Sequence, residues 1–452
     1  MKAPNTNTAR ERGDSVSKPD ANPGANALST RRQPADSTTR RHAGSTRRHP
    51  GVNPTSPRRQ PDIRTTQRHS SPRFLCPAPR KTPNARPSVR LFYLDEHQLR
   101  RTALTSRFTA AKLDSLLVNH LPSVRYLTGF TGSNGILLVT PERTTLFTDP
   151  RYTTQAAQEC SCRVRITKGR SMTPAVSKAI AKEKLRKIGF AAGGVSVATH
   201  DFLKEKLTLG AELVKADPLV ETQRMVKSPS EIEAIRRAVH TTSRAFANAM
   251  KHMKTGMTEA DLAAEIDHQA RRAGAESLCF ETIVATGERA ALPHARPTSA
   301  PIKRDQLLLI DMGACQNGYA SDMTRTVGIG QPPRRLRSAY QIVLDSQLAA
   351  LDAVRPGVCV AKVDQAARKV LQPHQLEKMF VHSLGHGLGL EIHEAPRLGR
   401  GEKTRLEAGM VITVEPGVYL PGDYGIRIED TVLVTATGCE VLTPTSKSFQ
   451  TY

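Results

Sequence analysis

Two apolar runs in the last third of the chain end in an acidic residue, and each is followed by a turn signal and a second extended run carrying another acid. In the first, Leu307-Leu308-Leu309-Ile310 leads into Asp311, and Asn317-Gly318 then divides it from a run that brings in Asp322. Asn-Gly between extended runs signals a hairpin, because both residues tolerate the positive φ of a two-residue type I′ turn. With the turn centred there, Asp322 lies opposite Gly313, and Asp311 is its diagonal neighbour on the same face. In the second, Val411-Ile412-Thr413-Val414 leads into Glu415, a turn follows near Gly422, and Ile426-Arg427-Ile428 leads into Glu429. Pairing about that turn sets Glu415 roughly opposite Glu429. A single acid beside a turn is usually a cap or a solvated side chain. Four acids embedded in Val/Ile/Leu-rich strand sequence are not accounted for that way.

Buried carboxylates cannot all ionise side by side unless positive charge compensates them. Two divalent metal ions would balance four of them. A third segment, from His382 through Gly385-His386-Gly387 to His393, adds imidazole donors. Its alternating glycines argue against a helix and place the histidines on a loop or strand edge. Taken alone, a histidine in such a loop is more often structural than a ligand. Oxygen-rich ligation with one imidazole suits Mn²⁺ best, with Co²⁺ or Zn²⁺ as alternatives. A pair of such ions about 3.5–4 Å apart acidifies a water and polarises a carbonyl, which is the chemistry of a hydrolase.

The net charge of +24 does not describe the folded part evenly. Residues 1–90 hold 19 Lys/Arg against 5 Asp/Glu, so +14 of the excess sits there. That stretch is rich in Arg, Pro, Ser and Thr without apolar periodicity, and it cannot bury enough surface to offset its chain entropy. It reads as a basic disordered tail over 1–95. A nucleic-acid arm would fit the charge, but no aromatic residues interleave its arginines to stack on bases, which argues against that partner. The N-terminus lacks a secretory apolar stretch, and no run approaches the roughly 18 apolar residues of a membrane span. Seven scattered cysteines include one C-x-C pair, Cys160 and Cys162, with no second pair to complete a zinc site. They read as reduced thiols of a cytoplasmic protein.

Between about 105 and 220, helix-like and strand-like stretches alternate. Residues 110–117 read as helix, 135–140 and 144–147 as apolar strands, 173–184 as an amphipathic helix, and 187–190 as a short strand. This is α/β layering, in a domain over 96–224. A boundary falls at 226–230, where Ser228-Pro229-Ser230-Glu231 is a helix start: a Ser cap, Pro at the first position, Glu three residues on. A second helix opens at Thr258-Glu259-Ala260-Asp261. Strands dominate 282–327, helices 334–371, and Gly-rich strands the remainder, so a second domain covers 225–452. One internal echo links Gly256-Met257-Thr258 to Gly357-Val358-Cys359, each leading into an amphipathic helix. A duplicated half-domain and two unrelated helix starts explain it equally well.

Asp311 with Asp322-Met323-Thr324-Arg325-Thr326, the His382…Gly385-His386-Gly387 segment, Glu415-Pro416-Gly417 and Ile428-Glu429-Asp430 together resemble the metallopeptidases of the methionine aminopeptidase/creatinase superfamily. The likeness is greatest to bacterial Xaa-Pro aminopeptidases and Xaa-Pro dipeptidases (prolidases). In the N-terminal half, Val124-Arg125-Tyr126-Leu127-Thr128-Gly129-Phe130 and Leu146-Phe147-Thr148-Asp149-Pro150-Arg151-Tyr152 are similar to that family's signatures, although Pro150 stands where Gly is more usual. The resemblance covers roughly 100–452. It implies a creatinase-type α/β domain followed by a pita-bread α+β catalytic domain. It further implies that Asp311 holds one metal, that Asp322 and Glu429 bridge both, and that His386 and Glu415 complete the other. Glu415 would serve as general base. His294 would contact substrate near the scissile bond, and His382 and His393 would flank the proline pocket and stabilise the tetrahedral intermediate. Arg427 would touch substrate or orient the ligands.

The implied activity is hydrolysis of peptides with proline at the second position, by a homodimer. A creatinase-like enzyme is disfavoured because its relatives lose these ligands. A methionine aminopeptidase is disfavoured by the long N-terminal domain. A non-catalytic binding protein has no physical need to bury four carboxylates. Aminopeptidase or dipeptidase action depends on the space beyond the proline, and both stay open.

Overall fold

Asp95 caps the helix Glu96–Thr105 by accepting from the His97 amide. The computed structural model describes residues 95–452 apart from residue 192, so the tail expected over 1–95 lies outside the described residues except for Asp95. Six strands follow in one mixed sheet, in the order Arg163–Ile166, Thr144–Thr148, Gly135–Val139, Ser115–Val118, Lys187–Ala191, Glu212–Ala216. Gly135–Val139 pairs antiparallel with Thr144–Thr148 on one side and Ser115–Val118 on the other, and the remaining three pairings are parallel. Alternation along the strands sends Leu116, Leu137 and Leu146 to one face and Leu117, Leu138 and Phe147 to the other, each against its own helices. The result is an α/β domain.

One reading needs correction here. The segment 110–117 is not a helix: a short helix Phe108–Ala111 stops at Lys112 (φ +55°), and Ser115–Val118 is a strand. That strand lies mid-sheet and is buried throughout. A short apolar run buried on both faces has no period by which to tell strand from helix.

The second domain is built twice. In 229–329, the helices Pro229–His252 and Glu259–Arg272 pack on a hairpin of Gln306–Met312 and Met323–Ile329. In 334–434, the helices Arg334–Ala353 and Val360–Leu371 pack on a hairpin of Val411–Val414 and Asp430–Val434. Ser228 and Thr258 cap the first two helices with complete capping boxes, as their sequences predict. The echo at Gly256 and Gly357 is structural. The Gly256 amide donates to the Ile302 carbonyl at 2.9 Å and the Ile302 amide to Met257 at 2.8 Å; Gly357 with Leu406, and Leu406 with Val358, repeat this at 2.8 and 2.9 Å. Both glycines hold positive φ, +94° and +83°, which an L side chain adopts only under strain. Among the described residues no helix is long and apolar enough to cross a membrane, and six cysteines carry free thiols.

Candidate metal centre

Each hairpin bends where its acids stand. In the first, Met312 pairs with Met323 in one sheet and Cys315 with Ala320 in another, which brackets Asp322 opposite Gly313. Asp311 pairs with Thr324, so it sits diagonally from Asp322 as the Asn317-Gly318 turn predicts. In the second, Val414 pairs with Asp430 and Gly417 with Arg427, which brackets Glu415 opposite Glu429. At these bends Asp322, Glu415 and Glu429 leave the ladder, Asp311 stays within it between Ile283 and Thr324, and all four carboxylates face inward. His386 reaches them from the strand Gly385–Gly387, wedged between two neighbours. A Cβ on Gly385 would collide with the Thr413 carbonyl, and one on Gly387 with that of Ala395, so only glycine admits this close approach.

The five side chains converge. One ligand atom each from Asp322, His386 and Glu429 lies within 4.8 Å of the others. His386 Nε2 stands 3.5 Å from both Asp322 Oδ2 and Glu415 Oε1. These approaches are not ion pairs, because burial pulls the His386 pKa down to about 4 and leaves the ring neutral at pH 7. His386 Nδ1 lies 3.0 Å from the Gly387 carbonyl and donates to it, which turns the Nε2 lone pair toward the acids.

The acids resist ionisation together. Burial, then the charges of Glu429, Asp311 and Glu415, push Asp322 well above the usual carboxylate range. Burial, then Glu415 and Asp311, do the same to Glu429. Burial pushes Glu415 up to about 8. Asp311 Oδ2 accepts from Arg427 at 2.6 Å and Glu429 Oε2 from Thr324 at 2.6 Å, yet Asp311 Oδ1 and Glu429 Oε1 are buried without any hydrogen-bond partner. An orphaned buried oxygen is costly, of order 1–3 kcal/mol or more for a charged group. Four inward carboxylates, two orphaned oxygens and a neutral imidazole lone pair fit divalent cations.

Around this centre runs a second chain of contacts. Arg427 donates to Asp311, to Thr324 Oγ1 at 2.9 Å, to the Pro293 carbonyl at 3.1 Å and to the Tyr419 hydroxyl at 2.7 Å. Burial opposes its charge, but Tyr419, Asp311, Glu415 and Glu429 outweigh it and raise its pKa. Tyr419 in turn lies 2.9 Å from His382 Nε2, whose Nδ1 bonds the Ser383 carbonyl. The His393 ring meets His386 edge-on at 4.4 Å. His294 and His393 are exposed at the surface, and His393 is held below the usual range, first by partial desolvation of its ring and then by His294. The sequence assigns no site role to Tyr419, to Thr324, or to Thr413, whose hydroxyl donates to Glu415 Oε1 at 3.3 Å. Tyr419 shares the face of Glu415 at the two-residue period, which would have found it. A cavity of about 960 Å³ along the helix Pro229–His252 contains none of these side chains. Converging titratable groups mark the site, and volume does not.

Such a centre, on duplicated hairpins behind an α/β domain, defines a metal-dependent hydrolase. Residues 233–436 match the model of metallopeptidase family M24, and residues 100–226 that of the creatinase/prolidase N-terminal domain. An uncharacterized peptidase of Bacillus subtilis (strain 168) is 35% identical over 344 residues, 76% of this chain and 97% of that protein. The solved Xaa-Pro dipeptidase from Bacillus anthracis is 34% identical with a TM-score of 0.76, covering 79% of this chain and 100% of that one. The X-Pro aminopeptidase from Thermotoga maritima is 35% identical with a TM-score of 0.72, covering 77% and 100%. The chain belongs to metallopeptidase family M24: it is a metallopeptidase with a creatinase-type N-terminal domain and a pita-bread catalytic domain.

Proposed function

We propose that the chain hydrolyses the bond between an N-terminal residue and a following proline, as a dinuclear Xaa-Pro aminopeptidase. The observation that carries this is the convergence of Asp311, Asp322, Glu415 and Glu429 on neutral His386, with two carboxylate oxygens left unpartnered. Asp311 would hold one cation, Asp322 and Glu429 both, and His386 and Glu415 the other. Two divalent ions there, Mn²⁺ before Co²⁺ or Zn²⁺, would supply an activated water and a polarised scissile carbonyl.

The chain's own residues do the rest. Glu415 takes the proton of the attacking water and passes it to the departing proline nitrogen, which has no N–H before cleavage and must gain one. His294 and His393, both exposed beside the centre, contact the substrate and the developing oxyanion. His382, with both ring nitrogens engaged, acts through Tyr419 and Arg427 to hold Asp311 and the loop before His294 in place. A pocket shaped for the proline ring favours a bond that peptidases relying on that N–H handle poorly. The same reading takes 96–224 and 225–452 as the two folded domains, in a cytoplasmic homodimer.

A second reading, dipeptidase action, is favoured by the Bacillus anthracis relative, named an Xaa-Pro dipeptidase. The test is hydrolysis by chelator-stripped protein before and after Mn²⁺ addition, with Xaa-Pro dipeptides and Xaa-Pro-Xaa tripeptides in parallel. Metal-dependent cleavage of both supports the aminopeptidase, and of dipeptides alone the dipeptidase. No turnover of either, with the fold intact and metal bound, sinks the proline-peptidase reading.

A further inference from the structure

Glu259, the first residue of the helix Glu259–Arg272, is wholly buried and takes no part in the metal centre. Its carboxylate accepts from the Thr286 amide at 2.9 Å, from Arg289 Nε at 3.0 Å, and from the Thr298 amide and hydroxyl at 3.0 and 2.8 Å. Thr286 and Thr298 are the two ends of the segment whose middle carries Leu292-Pro293-His294. Arg289 also closes the loop on itself by donating to the Arg296 carbonyl at 2.8 Å. Farther along, Arg427 grips the Pro293 carbonyl, one residue before His294. The loop is thus tied at both ends by one acid and at its tip by the arginine that bonds Asp311.

The duplicated half is an internal control. The Glu259 amide donates to the Ala300 carbonyl at 3.0 Å, and the Val360 amide donates to Thr404 at 2.9 Å in the same place of the second half. Val360 is equally buried and apolar. Starting the helix and closing that backbone contact therefore need no carboxylate, and burying one against several donors calls for another reason. We propose that Glu259 is a positioning residue that holds His294 in register with the metal centre. The proposal rests on the reading of His294 as a substrate contact. A reacting group displaced by about 1 Å can lose roughly 100-fold in rate, so a buried clamp at the loop base has leverage on turnover.

The test is a double-mutant cycle on the full-length, Mn²⁺-loaded protein, with an Xaa-Pro substrate and wild type, Glu259→Gln, His294→Ala and the double variant. Glu259→Gln keeps the shape but sets an amide N–H₂ against donors, and kcat/KM falls at least about 10-fold while bound Mn²⁺ is unchanged. In the His294→Ala background the same substitution changes nothing further. Hydrogen exchange of 287–297 speeds up in Glu259→Gln. Should that variant fail to fold, Thr298→Val takes its place: it removes the hydroxyl that donates to the carboxylate and accepts from the Ala300 amide, with a smaller loss and the same non-additivity. Equal losses in both backgrounds, or no loss at all, would overturn the proposal. No turnover by wild type would overturn the proline-peptidase reading itself, and is seen before any variant is made.

Discussion

The two halves of the catalytic domain share a scaffold and differ in what they place on it. The bond from the Asp305 amide to the Ile329 carbonyl recurs as Gly409 to Val434, and counting inward from it along both strands aligns Asp311 with Glu415, Asp322 with Arg427 and Thr324 with Glu429. Each half thus contributes two carboxylates, of which Asp311 and Glu415 stand at equivalent positions while Asp322 and Glu429 do not. Where the first half has a ligand candidate, Asp322, the second has an arginine. Where the second has Glu429, the first has a threonine that donates to it. The substitutions interlock between the two halves: Arg427 bonds both Asp311 and Thr324. Full symmetry would put still more negative charge into one buried site. The divergence instead keeps four acids and converts the remaining two positions into donors that orient them.

The largest effect separates these roles. Glu429→Gln removes a proposed shared ligand and should cost about 1,000-fold in turnover along with most of the bound metal, several kcal/mol of barrier at 1.36 kcal/mol per tenfold. Thr324→Ala, its counterpart, loses only hydrogen bonds, and should weaken metal affinity or turnover by roughly 10–100-fold. Metal analysis beside steady-state kinetics compares the two, and equal losses would break the division into ligand and donor. Arg427→Lys should fall in the second range too. A single ammonium cannot reach Asp311, Thr324, Tyr419 and the Pro293 carbonyl together.

The acids also set a pH dependence. Glu415 is raised to about 8, and Asp322 and Glu429 are raised as well. A carboxyl raised on folding binds more protons in the native than in the unfolded metal-free protein. Its contribution therefore falls as pH rises from the unfolded value of about 4.5 toward 8, the reverse of a paired surface acid. The metal-free protein should lose several degrees of Tm between pH 5 and 8. The Mn²⁺-loaded protein should not, and metal uptake at pH 7 should release protons. Calorimetry in two buffers of different ionisation heat reads that release. A flat Tm for the metal-free protein would mean the four acids are not held together as described.

Much of this was legible because β structure has a period of two and a turn sets the register. Asn317 and Gly318 both take positive φ, +50° and +73°, and from that one turn the positions of Asp311 and Asp322 follow. What failed lacked a local signature. The strand Ser115–Val118 is apolar on both faces and so showed no alternation. The partners of Arg427 lie 103 residues away at Thr324 and 134 away at Pro293, and spacing along the chain cannot report such contacts. The duplication stayed ambiguous at Gly256 and Gly357 for the same reason. Its proof is in bonds to Ile302 and Leu406, about fifty residues downstream of each glycine.

The smallest effect tests the duplication where no chemistry intrudes. Thr258 caps the helix Glu259–Arg272 through the Asp261 amide, while Cys359, its counterpart before Val360–Leu371, makes no side-chain cap. Thr258→Ala should therefore destabilise by about 1 kcal/mol in urea unfolding. Cys359→Ala should stay within roughly 0.5 kcal/mol, since only a weak thiol contact to the Glu402 carbonyl is lost. The converse is the sharper probe. If the two helix starts are equivalent, as their matching backbone bonds indicate, Cys359→Thr installs the missing cap beside the Lys362 amide and stabilises the protein by up to about 1 kcal/mol. A neutral or negative result would show that the second half has drifted in backbone geometry as well as in side chains, so that its helix start no longer accepts the cap of the first.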